Sequence, residues 1–238
     1  MDQNFIKINN RFFYDKEGKA SVLFKMIGTD GFTILCYLTM IQINLPAART
    51  NIKDILDFTG IKDKRTAVKR LKTLQKNKII TVDKDISKIN VNDILSIKIN
   101  ELVSKTDDNF TTISSNLFSD YIHKIGCNGW SILCLLTRLH NNTYSDNGYA
   151  NPSHEHIRRV IGLSITTIKK YIDILADNKL VKAEEQTPTF LFTNTYGKDI
   201  YESYPNKYIV SNRLKNNKYY LYHNDTNNNI TELKKKAI

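Results

Sequence analysis

The chain has 238 residues, 41% hydrophobic and 25% charged: enough apolar content for one large domain or two small ones, and an ordinary charge share that excludes a wholly disordered chain. Lys and Arg outnumber Asp and Glu by 35 to 24, and a net charge of +11 points to an anionic partner, nucleic acid first and an anionic membrane surface second. The start, MDQNFIKINN, lacks the cationic stretch and apolar run of a signal peptide, and no apolar run approaches the ~18 residues of a membrane span, so a cytoplasmic protein with no membrane partner is expected.

In chain order, residues 5–8 alternate like a short strand and 31–43 are apolar enough for a buried helix. Asn51, with Asp54 three residues on, predicts a helix start. That helix runs to Thr59, and Gly60 ends it with a tight left-handed turn. Asp63 caps the next helix, 64–76. KIITVD (78–83) and DILSIKI (93–99) read as two strands around a polar loop at 84–92.

The chain then repeats itself. GFTILCYLTM (31–40) matches GWSILCLLTR (129–138), with MIG (26–28) and KIG (124–126) just upstream. FIKINNRFF (5–13) parallels FTTISSNLF (110–118), and NIKDILDFTGI (51–61) parallels SHEHIRRVIGL (153–163). AVKRLKTLQKNKII (67–80) parallels IKKYIDILADNKLV (168–181), sharing the dipeptide Asn-Lys. Five blocks in the same order predict two copies of one unit of ~90 residues, each with its own core. In the second copy, Ser153 caps a helix, Gly162 makes the turn, Ser164 caps 165–177, and strands lie near 180–185 and 189–193 with Pro188 in a loop.

A helix, a glycine turn, a second helix and a hairpin make a winged helix-turn-helix. The expected fold is mainly α with small β-hairpins (α+β). It comprises a winged-helix domain over 1–104, a linker at 105–109, a second such domain over 110–194, and a tyrosine-rich extension over 195–238 ending in a mobile basic tail.

The stretch KDKRTAVKRLKTLQKNK (62–78) holds eight basic residues and one acid. On a helical wheel, Ala67, Leu71 and Leu74 share one side with Val68 at its edge, while Arg65, Lys69, Lys72 and Lys76 line the other. The second helix of such a motif enters the DNA major groove with its N-terminal residues nearest the base edges. Lys62, Lys64, Arg65 and Thr66 are therefore the candidate base readers, with Arg65 suited to bidentate reading of guanine. Lys69, Lys72 and Lys76 are candidate phosphate contacts, and Lys84 and Lys88 add charge from the hairpin loop. In the second copy Ile168, Ile172 and Leu175 face inward. Thr166 and Lys169 are candidate base contacts, with Ser164, Thr167 and Lys170 beside them and Arg158 and Arg159 for the backbone. Asp173 and Asp177 would repel phosphate, so this copy supplies register and specificity or has turned to protein contacts.

His154, Glu155 and His156 resemble a fragment of a metal site but read better as surface helix residues. Cys36, Cys127 and Cys134 have no metal-like spacing, and Cys36 and Cys134 lie in apolar runs, so they read as reduced, buried small hydrophobes. No phosphate loop, nucleophile motif or carboxylate pair stands out, so no enzyme, cofactor or metal is expected. The tyrosines of 195–238 (Tyr196, Tyr201, Tyr204, Tyr208, Tyr219, Tyr220 and Tyr222) suggest a hairpin at about 207–222, packed on the preceding domain rather than stacked on bases.

The run from FTTISSNLF to DNKLV resembles the winged-helix domains of plasmid and phage replication initiators from low-GC Gram-positive bacteria, and is similar to the N-terminal domain of DnaD-type primosome proteins. The resemblance lies in Pro152, Ser153, Glu155, Ile157, Gly162, Leu163, Ser164, Thr167, Ile168, Lys169 and Lys170. It covers 110–185 well and 5–99 more loosely, and DKRTA departs from the Ser-capped turn. It implies a sequence-specific binder of double-stranded DNA at two unlike half-sites or origin repeats, acting as monomer or homodimer with replication proteins as further partners. The alternatives are a transcriptional regulator of a mobile element, or a winged-helix adaptor in a primosome or segregation complex.

Overall fold

A computed structural model describes residues 5–42, 45–100, 110–140, 149–193, 195–196, 199–202 and 205–210. The fold is α+β, with six α-helices and small antiparallel sheets among the described residues. The first copy contributes β1 (Phe5–Asn9), a 3-10 turn at Asn10–Phe12, α1 (Val22–Ile41), β2 (Ala48–Thr50), α2 (Ile52–Thr59), α3 (Lys64–Lys76), β3 (Ile80–Val82) and β4 (Leu95–Ile99). The second contributes β5 (Phe110–Ser114), α4 (Ser115–Leu139), α5 (His154–Ile161), α6 (Ile165–Asp177), β6 (Val181–Glu184), β7 (Thr189–Thr193), β8 (Asp199–Glu202) and β9 (Lys207–Val210).

The repeated blocks have repeated structural causes. Gly28 (φ 67°, ψ 176°) breaks α1 and Gly126 (φ 62°, ψ 177°) breaks α4, which explains the MIG/KIG match. Gly60 and Gly162 are left-handed at the ends of α2 and α5. Asn51, Asp63, Ser153 and Ser164 cap as their positions predict, each accepting a bond from a backbone N–H in the first turn. The shared Asn-Lys dipeptide ends α3 and α6. Lys78 (φ 56°) and Lys179 (φ 59°) adopt the left-handed conformation, while Ile79 N donates to Leu74 O and Leu180 N to Leu175 O, a Schellman ending.

The copies meet across an approximate twofold axis. β1 and β5 pair antiparallel, with Phe5 opposite Ser114, Asn9 opposite Phe110 and Lys7 opposite Thr112. Phe5 corresponds to Phe110 and Asn9 to Ser114, so each end faces the other's counterpart and Lys7 faces its own, as in an isologous dimer. The long helices follow the same rule. Cys36 and Cys134, counterparts in the repeat, lie against each other, both buried. Thr29 Oγ1 donates to Asn128 Oδ1 at 2.7 Å, while their counterparts Cys127 and Asp30 also lie together. Instead of one core per copy, the buried side chains form a single continuous cluster.

Two expectations about the strands are corrected. In the first copy an unforeseen short strand, β2, joins β4 and β3 in one sheet ordered β2-β4-β3. In the second, β6 and β7 do not pair with each other. They are successive parts of one rising arm: β6 pairs with β9, and β7 with β8. Residues 185–188, with Pro188, interrupt the arm. Ala150 bridges Tyr208 in β9 as Ala48 pairs with Ile97 in β4, so a strand from the C-terminal extension fills the place of β4. Tyr208 is buried, in line with packing, whereas Tyr196 is exposed. The linker at 105–109, the rest of the 207–222 hairpin and the basic tail lie outside the described residues.

α1 starts at Val22, where Ser21 caps it, rather than near 31. It is the one helix among the described residues that is long and apolar enough to cross a membrane, by length and composition only. Its Phe24, Ile27, Phe32, Ile34 and Leu38 are buried within the fold, and Gly28 interrupts it.

Candidate nucleic-acid interface

α3 is fixed from beneath by Ala67, Leu71 and Leu74, each 0% exposed. Arg65, Lys69, Lys72 and Lys76 are all exposed on the opposite side, as is Lys62 in the turn. Like charges in line on one helix repel each other, with Asp63 and Asp85 offsetting Arg65 and Lys72 in part, and the opposite face is locked in the core. Arg70 lies off this ridge, toward the buried side of α3. It lies over Gly28 and Gly31, and its guanidinium meets Asp30 at 3.3 Å. A side chain on Gly28 would press on that guanidinium, which would have to shift by a few tenths of an ångström.

The first turn is more committed than its residue types suggest. Asp63 accepts from Thr66 N at 2.8 Å and from the Thr66 hydroxyl at 2.9 Å. These bonds, with Arg65 adding a smaller electrostatic pull, hold the Asp63 carboxyl below its ordinary pKa. The Thr66 hydroxyl is thus part of the cap. Lys64 Nζ donates to Ile89 O at 2.8 Å, reaching the loop between β3 and β4. Arg65 keeps the exposed position suited to reading a base.

That loop, 83–94, is a built element. Ile86 and Ile89 are buried, and Lys53 N donates to Val91 O. Asp83, Asp85 and Asp93 accept backbone N–H bonds from Ser96, Ser87 and Asn90. The Asp85 carboxyl is lowered first by the Ser87 bond, with Lys88 and Lys72 helping, which sets this loop near the ridge. Lys84 and Lys88 are exposed on it. Asp85 thus lies within electrostatic reach of Lys72 on α3 as well as of Lys88 on its own loop, and Lys84 is its neighbour in sequence.

The second copy has the same frame and different chemistry. Ile168, Ile172 and Leu175 are buried under α6, while Thr166, Lys169, Lys170, Asp173 and Asp177 are exposed. At the positions matching Arg65, Lys69, Lys72 and Lys76 stand Thr166, Lys170, Asp173 and Asp177, one lysine against two aspartates. Ser164 and Thr167 bond to each other at 2.8 Å and form the cap. Arg158 pairs with Glu155 at 3.2 Å, and Arg159 is exposed nearby. Ile165, which the sequence reading passed over, is exposed in the first turn.

His154 and His156 turn out to be joints. His154 Nε2 meets the Tyr208 hydroxyl at 3.1 Å, and His156 Nε2 meets the Tyr14 hydroxyl of the other copy at 2.7 Å. Burial pushes Tyr14 and Tyr208 up to about 12. Among the described residues no group of three or more His, Cys, Asp or Glu could hold a metal ion. The Tyr14, Arg70 and Lys64 contacts escaped sequence reasoning, since each joins residues far apart in the chain; only the closely spaced Gly28 and Gly31 hinted at a bulky neighbour.

No family model matches the chain, and no curated protein matches it.

Proposed function

We propose that the chain is a sequence-specific double-stranded DNA-binding protein built as two tandem winged helix-turn-helix units, acting as a plasmid or phage replication initiator or origin-binding factor. The observation that carries the reading is the α3 ridge: four exposed cations in line over a fully buried opposite face, placed after a glycine turn and before a strand pair. A helix so placed lies in the major groove, where Arg65 would read a guanine and Lys69, Lys72 and Lys76 would meet phosphates.

The approximate twofold supports a chain that does alone what a dimer of single-domain proteins does. One chain carries two reading helices, so its site consists of two inverted half-sites about one helical turn apart. Because α3 and α6 differ at every ridge position but one, the half-sites differ in sequence. A second reading attaches to α6 alone, whose two exposed aspartates favour a protein contact over phosphate.

Selection of duplexes from a random pool tests the proposal. The expected product is a two-part site. Arg65→Ala relaxes one base position at a cost of about 1–3 kcal/mol, and Lys69→Ala weakens all sequences alike. Recovery of no preferred sequence contradicts it and favours the adaptor reading. The location of the selected site, repeated at an origin or lying over a promoter, separates an initiator from a transcriptional regulator of a mobile element.

A further inference from the structure

We infer that Lys64 is a positioning residue, whose ammonium ties the 83–94 loop to the first turn of α3 and so holds Lys84 and Lys88 beside the cationic ridge. The inference rests on the DNA-binding reading and gives Lys64 a different role from the base contact its sequence position suggests. Three observations carry it. The Lys64 ammonium donates to the Ile89 carbonyl at 2.8 Å, a bond from a charged donor that is stronger than a neutral one. The loop is anchored at the same place by buried Ile86 and Ile89 and by the Lys53 N–H on Val91 O, so the bond closes a structure already held at two points. Its two lysines then sit on a fixed platform rather than a floppy tip, which lowers the ordering cost of bringing them to a phosphate.

The second copy supplies the contrast. The residue at the Lys64 position is Ile165, which is exposed and has no ammonium to give. Beyond β6 the chain there continues into the β7–β8 pair instead of folding back as a short loop. The tie belongs to the copy whose loop carries Lys84 and Lys88.

A double-mutant cycle on the full chain tests this, with duplex affinity measured against salt. Lys64→Met keeps the aliphatic stem and removes the ammonium. If Lys64 acts through the loop, Lys64→Met weakens binding by about as large a factor as Lys84→Ala/Lys88→Ala and adds nothing on that background. The salt slope then falls by about 1.8, the share of two phosphate contacts at about 0.9 each. Amides of 87–93 exchange hydrogen faster without DNA present, and Lys64→Arg, which keeps a charged donor, restores both. If Lys64 touches DNA directly, its effect adds to that of the loop variant and the slope falls by about 0.9, which overturns the inference. Unchanged exchange at 87–93 in Lys64→Met overturns it whatever the DNA arm gives. Salt-insensitive duplex binding by the wild-type chain overturns the proposed function instead.

Discussion

Replacing Gly126 by alanine asks an L-residue to hold φ 62°, ψ 177°, a region that essentially only glycine occupies. Nothing lies within 4 Å of the added Cβ, so the cost is backbone strain alone, about 1–3 kcal/mol. Gly28→Ala imposes the same strain at φ 67°, ψ 176° and sets its Cβ 3.2–3.3 Å from the Arg70 guanidinium. Arg70 must then yield, loosening its contact with Asp30. That pair is partly exposed, so its loss adds about 1 kcal/mol at most. For a chain this size each kcal/mol lowers Tm by about 2–4 °C. Thermal unfolding followed by circular dichroism should therefore rank wild type above Gly126→Ala above Gly28→Ala. Where a backbone already suits alanine, glycine replacement instead stabilises by about 0.4–1 kcal/mol. A Gly126→Ala chain as stable as wild type would refute the helix-break reasoning, and a Gly28→Ala chain milder than Gly126→Ala would refute the role of Arg70.

The two lysines in left-handed conformation give the opposite sign. Lys78→Gly and Lys179→Gly relieve an unfavourable φ without disturbing the Schellman bonds, so each should stabilise the fold by up to about 1 kcal/mol, read as a higher urea midpoint; a loss of stability would contradict the assignment. The half-buried histidine joints predict a response to acid. Burial first, and then Arg159, depresses the His156 imidazole; burial, with Lys169 adding, depresses His154. A lowered folded pKa means that the unfolded chain takes up protons first. Stability therefore declines as pH falls from about 6.5, the ordinary imidazole value, down through the depressed folded values. His156→Gln should flatten that decline in urea midpoints measured between about pH 6.5 and 5. An unchanged slope would contradict it.

Local structure was legible where one or two residues decide it. Asn51, Asp63, Ser153 and Ser164 cap as their side chains dictate, Gly60 and Gly162 turn the chain, and the α3 wheel separates buried Leu71 and Leu74 from exposed Lys69 and Lys72 as the periodicity requires. What stayed hidden depends on long-range partners. β2 is three residues long, too short to show alternation, and exists because β4 pairs with it. β6 and β7 are adjacent in sequence and look like a hairpin, but their partners arrive from 199–210. The repeat was visible as text, whereas its twofold meaning needed the register that sets Lys7 against Thr112. In the candidate site the exposed cations could be read from spacing alone. The contacts of Arg70 with Asp30 and of Lys64 with Ile89 could not, because their partners lie 40 and 25 residues away in the chain.

The DNA-binding claim is tested most directly by titrating a labelled duplex with the wild-type chain and with Lys69→Ala/Lys72→Ala/Lys76→Ala across a range of salt concentrations. The account predicts a linear fall of log K with log salt for wild type, and a slope shallower by about 2.7 in the variant, about 0.9 for each phosphate contact removed. A folded variant whose affinity and salt slope equal those of the wild type would contradict it.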